Sequence, residues 1–157
     1  MEINIREWIL HDLPVIQESW LDFCRKAIRP DMRLKQDCEK VMTKWLNLKF
    51  RDPDTVGLIA ECVGKNAGFL IARVSDWQAS PPILEPRRIG IIDALYVDEQ
   101  LRRKAIGTRL IKHVLQLMRD RNAVAAETIY EASETGPIET WLHAGFDPWM
   151  VHAYKVL

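Results

Sequence analysis

Ile91-Ile92-Asp93-Ala94-Leu95-Tyr96-Val97-Asp98-Glu99-Gln100-Leu101-Arg102-Arg103-Lys104-Ala105-Ile106-Gly107-Thr108-Arg109-Leu110 is the stretch on which the fold turns. A β-rich run passes through a short acidic turn into a basic segment with small residues, and then into a helix. Ile106, Leu110, Val114 and Met118 recur at four-residue steps, with Ile111 and Leu115 beside them, which is one apolar face docked on a sheet. The first turn of that helix offers free backbone N–H groups and the positive end of its dipole. Arg102, Arg103, Lys104 and Arg109 lie close by. Cations at that end oppose the dipole at about 0.3–1 kcal/mol each, so their clustering there predicts an anion, such as a phosphate or pyrophosphate. The alternative is a solvated basic surface.

Working outward, Ile3 to Trp8 reads as a strand, and Asp12-Leu13-Pro14 as a helix start with the aspartate as N-cap. Leu13, Ile16, Trp20, Cys24 and Ala27 form the stripe of a first helix; Leu34, Cys38, Val41, Trp45 and Leu48 form that of a second. Thr55–Val63 and Gly68–Val74 are strands joined by Gly64-Lys65-Asn66-Ala67 as a hairpin. Ser75–Arg88 reads as a loop, Ile89–Val97 as a strand, Ile106–Arg121 as a helix, and Ala125–Ala132 as a strand. Pro137–Ala144 is a short helix stopped by Gly145, and Phe146–Leu157 is expected to hold one or two strands. The order β-α-α-β-β-β-α-β-α-β makes an α+β sandwich: a mixed sheet flanked by helices, with one βαβ crossover and a single domain over residues 1–157.

At 157 residues, a chain of this size buries roughly 68–70% of its unfolded surface. Apolar residues are 48% and charged residues 28%, which argues against a disordered chain or a fibre. No uncharged apolar run approaches the roughly 18–20 residues a membrane helix needs. Lys plus Arg and Asp plus Glu are each 22, a net charge of zero, which speaks against nucleic acid or an anionic membrane as partner. Cys24, Cys38 and Cys62 are widely spaced and suggest neither a disulfide framework nor a metal site. The start Met1–Arg6 has no leader pattern, so the expected compartment is cytoplasmic. The four histidines show no metal pairing, and Trp8, Trp20 and Trp45 are expected in the core. Trp77 either anchors its loop or walls a pocket.

At Arg102-x-x-Ala105-x-Gly107 the sequence resembles the GNAT superfamily of acyl-CoA-dependent N-acetyltransferases. Their signature is Arg/Gln-x-x-Gly-x-Gly/Ala at a strand-to-helix turn, and alanine here replaces the first glycine. Leu95-Tyr96-Val97 is similar to the strand before it, and Trp141-Leu142-His143-Ala144-Gly145-Phe146 is similar to the family's Tyr-x-x-x-Gly-Phe. The resemblance implies a GNAT fold, acetyl-CoA as co-substrate, an amine acceptor and no metal. It also implies that Arg102, Arg103, Lys104, Ala105, Ile106, Gly107 and Thr108 hold the pyrophosphate, and that Leu95, Tyr96 and Val97 hold the pantetheine arm. Glu134 and Trp141 stand at further cofactor positions, where the family expects an asparagine and a tyrosine. Pro137 stands where it expects a small residue. Ala105 costs on the order of 1 kcal/mol if the loop needs a positive φ there.

Acetyl transfer to an amine also needs a base and a way to stabilise the leaving thiolate. Asp93, amid apolar neighbours, is the candidate base, because burial raises a carboxyl toward neutrality. The alternative is a carboxylate satisfied by Arg73, Arg87 or Arg88. Tyr130 is taken as the candidate acid, with Tyr96 and Tyr154 as substitutes. Charge is segregated: seven Lys and Arg against one Asp from Arg102 to Arg121, then four Glu and no Lys or Arg from Glu127 to Glu139. The second stretch either receives a cationic amine or is a solvated face. Two rivals stand beside the enzyme: a non-catalytic acyl-CoA-binding module of this fold, and a nucleic-acid-binding domain using the basic stretch. A homodimer is left open.

Overall fold

The computed structural model describes residues 2–131 and 135–157. Five strands form one sheet in the order β1 (Ile3–Glu7), β2 (Thr55–Cys62), β3 (Lys65–Trp77), β4 (Arg87–Val97) and β5 (Ala125–Thr128). All neighbours are antiparallel except β4 and β5, which run parallel. Parallel strands need a crossover, here supplied by α3 (Ile106–Asp120). α1 (Leu13–Ala27) and α2 (Cys38–Arg51) cover the opposite face, and α4 (Thr135–His143) follows β5.

Each face has its own core. On the α3 side, Val56, Leu58, Leu70, Ala72 and Ile92 meet Ile106, Leu110, Ile111, Val114 and Met118, all buried. This is the stripe that periodicity predicts, and each such side chain contributes about 1.5–3 kcal/mol when fully buried. Gly90 lets α3 come down on β4, since a Cβ there would collide with Met118. On the other side Leu13, Ile16, Leu46, Ile59, Phe69 and Ile71 form the second core, with Trp8, Trp20 and Trp45 half-buried against it.

Several expectations are corrected. The hairpin turn is Val63-Gly64, with φ of 52° and 71°, so β3 begins at Lys65 and the turn is the two-residue kind with both central residues left-handed. β3 continues to Trp77 and β4 starts at Arg87, so the loop shrinks to 78–86; Arg88 bridging Asp54 (2.8 Å) and Asp76 (3.2 Å) holds these ends together. α2 starts at Cys38 and buries Leu46, leaving Leu34, Val41 and Leu48 exposed. Two apolar stripes overlap on this helix, and contact with α1 selects the one through Met42, Trp45 and Leu46. Asp12 precedes α1 but its carboxylate does not cap it. It is taken instead by both terminal nitrogens of Arg6 (2.7 and 2.8 Å) and by the Ile9 N–H (2.7 Å).

β5 ends at Thr128, leaving Tyr130 and Glu131 beyond the strand. The tail from Phe146 to Leu157 holds no strand. Pro148 lacks a donor for a ladder, and Tyr154 donates its hydroxyl to Asp31 under the Arg29 guanidinium.

Candidate active site

The decisive irregularity is at Asp93. Ile71 faces Ala94 and Ala72 faces Ile92 across the β3–β4 ladder, so Asp93 is one extra residue, a β-bulge. The bulge reverses the side-chain alternation. Ile92 and Leu95 therefore point into the same α3-side core, while Ala94 and Tyr96 point to the α1–α2 side.

Pairing of β4 with β5 stops one residue earlier, at Ile92 and Thr128. From there to Val97 the outer edge of β4 has no strand beside it among the described residues. The Asp98 N–H goes to Ala67 (3.0 Å), and the Tyr96 carbonyl lies against Gly68 on β3. Because backbone direction alternates, Leu95 and Val97 turn their N–H and C=O to the open side. The Val97 carbonyl is already taken by Arg102 Nε (3.2 Å). Among the described residues, Leu95 keeps both groups, and Val97 its N–H, without a hydrogen-bond partner.

The loop after β4 leads to α3. Arg103 and Ala105 are both left-handed, with φ of 61° and 58°. Successive N–H groups in such a chain converge into an anion-binding hollow. Arg109 N–H bonds Ala105 C=O (3.0 Å), so Ile106, Gly107 and Thr108 keep N–H groups without an intrahelical acceptor. No side chain caps them. Arg103 and Lys104 are exposed and have no ion-pair partner among the described residues. Arg109 is different: its guanidinium is bonded to the Ile3 carbonyl (2.7 Å), which removes it from the anion cluster expected from sequence. Ile106 gives only backbone, since its side chain is buried in the core.

On the α1–α2 face, Asp93 is not buried as expected. Its carboxylate accepts from Arg73 Nε (3.3 and 3.1 Å), the pairing that the sequence left as the alternative. The bulge is the reason, because it lifts residue 93 out of the ladder. Tyr96 stacks on Phe69 (5.3 Å), which meets Trp20 (6.0 Å), which meets Trp45 edge-on (5.5 Å). Burial, followed by the Asp98 charge, pushes the Tyr96 phenol up. Glu127, opposite Ile91, turns to this face by alternation with core-facing Ala126. The sequence alone does not show this aromatic line, because only strand register brings Phe69 next to Tyr96.

Trp141 is 5% exposed and packs edge-on against Phe146 at 5.2 Å, inside the α3-side core. Tyr130 is half-buried against the same core. Glu134 lies outside the described residues. Among the described residues no group of acidic, histidine or cysteine side chains could hold a metal ion, and no helix is long and apolar enough to cross a membrane.

The strand-to-helix turn stands where the sequence motif places it, and the model of the acetyltransferase (GNAT) family matches residues 14–146. The chain belongs to the GNAT acetyltransferase family. The fold is shared with solved structures of low sequence identity. An aminoglycoside acetyltransferase from an uncultured soil metagenomic sample, in complex with sisomicin, is 16% identical, with 99% of this chain and 96% of that one covered and a TM-score of 0.71. A predicted acetyltransferase from Clostridium acetobutylicum with acetyl-CoA is 18% identical over 97% and 96% of the two chains, at 0.74. A transcriptional regulator from Bacillus halodurans C-125 is 13% identical over 99% and 100%, at 0.79. No curated protein matches the chain.

Proposed function

We propose that this GNAT protein transfers the acetyl group of acetyl-CoA to a primary amine by direct attack. The observation that carries the reading is the parting of β4 from β5 at Asp93, next to the uncapped start of α3. The open Leu95 carbonyl and Val97 N–H suit the amides of a pantetheine arm laid along β4 as an extra strand. The N–H groups from Arg103 to Thr108, with Arg103 and Lys104, suit the pyrophosphate.

Acetyl-CoA supplies an acyl group activated as a thioester. The Leu95 N–H, fixed by the β3–β4 ladder, is the donor proposed for the negative charge that grows on the carbonyl oxygen. The acceptor is proposed to enter from the face of Tyr96, Arg73, Asp93 and Glu127, where the Glu127 carboxylate favours a cation and Asp93 stands paired with Arg73. There Asp93 takes the ammonium proton, directly or through one water, and Arg73 orients its carboxylate. Tyr130, past the end of β5, is the proposed proton donor to the leaving thiolate. That step needs little help, since a thiol titrating near 8.5 already leaves readily.

Thermal unfolding with and without acetyl-CoA tests the cofactor reading. At a hundredfold excess over the dissociation constant the complex is stabilised by about 2.7 kcal/mol, and no shift at millimolar ligand overturns it. Thiol release across a panel of small amines, amino-acid derivatives and peptides tests transfer. Binding with silence throughout the panel would favour the non-catalytic acyl-CoA module.

A further inference from the structure

Cys24 and Cys38 lie on facing stripes of the α1–α2 hairpin. Cys24 is one turn beyond Trp20, and Cys38 is two turns before Trp45, whose ring meets Trp20 edge-on at 5.5 Å. The residue that follows each cysteine reaches across the gap: Arg25 Nη2 and Glu39 Oε1 are 2.9 Å apart. Further along, Thr43 Oγ1 donates to Gln17 Oε1 (2.7 Å), so the partners run in opposite directions. Both thiols are half-buried rather than sealed, whereas Cys62 is buried under the α3-side core. Burial, followed by the nearness of Cys38, raises the Cys24 thiol.

We infer that Cys24 and Cys38 are a redox-modification site that closes to an intrachain disulfide on exposure to a low-molecular-weight disulfide. One cysteine thiolate attacks the small disulfide, forming a mixed disulfide and releasing one small thiol. The second cysteine then displaces the remaining small thiol, so that two protein thiols and one small disulfide become one protein disulfide and two small thiols. Closure draws Cys38, the first residue of α2, toward Cys24 by a shift of the helix start. The closed ring contains Arg29 and Asp31, which hold Tyr154 of the tail. Oxidation therefore ties down the segment that anchors the C-terminus.

The test uses the folded full chain with oxidised glutathione, followed by alkylation, non-reducing digestion and mass spectrometry. The expected product is a Cys24–Cys38 linked peptide lacking two hydrogens, in a monomer, with Cys62 alkylated only after denaturation. Cys24→Ser and Cys38→Ser should each lose the link and retain glutathione on the remaining cysteine, while Cys62→Ala should keep the link. Separate alkylation of Cys24 and Cys38, a link between two chains, or a link through Cys62 overturns the inference. Peptide mapping of the unaltered chain decides the matter even if a variant fails to fold.

Discussion

The Thr128 hydroxyl donates to the Ile92 carbonyl at 3.2 Å, across the last pair that joins β5 to β4. Beyond this contact Asp93 bulges and the two strands separate, so the bond sits at the apex of the proposed cofactor cleft. Thr128→Val keeps the shape and removes the donor. It should cost about 1 kcal/mol of stability, read by urea denaturation, and raise the KM for acetyl-CoA. An unchanged KM would remove the bond from any role in setting the cleft.

Ala105 occupies a left-handed conformation that glycine adopts without strain. Ala105→Gly relieves about 1–2 kcal/mol of strain and costs about 0.4–1 kcal/mol in unfolded-chain entropy. A net gain of about 0.5 kcal/mol is expected in denaturant melts, with acetyl-CoA affinity retained or improved. A loss of stability would contradict the strain.

Lys104 is exposed beside the uncapped start of α3. Lys104→Glu should weaken acetyl-CoA binding about tenfold at low salt, with the deficit shrinking as salt screens the charge. Calorimetric titration at two ionic strengths reads both effects, and an unaltered affinity would contradict the phosphate assignment.

Asp93→Asn keeps a hydrogen-bonding side chain beside Arg73 but cannot take a proton. If Asp93 is the base, kcat falls by about 10²–10⁴ while acetyl-CoA binding, followed by thermal shift, is spared. Turnover equal to that of the unaltered chain would sink the base role.

Burial alone would raise the Asp12 carboxyl, but its hydrogen bonds from Arg6 and the Ile9 N–H hold it below its ordinary 3.8. A carboxyl depressed in the folded state contributes stability that is present above the unfolded pKa and is lost as pH falls through the folded one. The pair is thus intact at pH 7 and fades below about 4. Asp12→Asn should lower the urea midpoint more at pH 7 than at pH 3. Equal losses at both would show that Asp12 acts through something other than its charge.

Much of the architecture was legible in local patterning. The α3 stripe, the order of elements through α4 and the strand-to-helix turn follow from side-chain period and from which residues stand at the turn, both local properties. Boundaries were less so. Val63 in a left-handed turn and β3 reaching Trp77 depend on what the neighbouring strand pairs with. The tail forms no strand, and its Tyr154 meets Asp31, a residue far away in the chain.

The segment Ile91–Leu110 shows the division most sharply. By itself, Ile91–Leu110 determined a strand, a basic turn and a docked helix, because periodicity, small residues and charge act over a few neighbours. Only tertiary structure decided that Asp93 is an extra residue in the β3–β4 ladder, paired with Arg73 rather than buried. It also decided that Arg109 reaches the Ile3 carbonyl instead of joining the cation cluster expected at the start of α3, and that Trp141 packs in the core. A bulge exists only relative to a partner strand, and a side chain's burial depends on what the rest of the chain lays over it. Neither is a property of the segment alone.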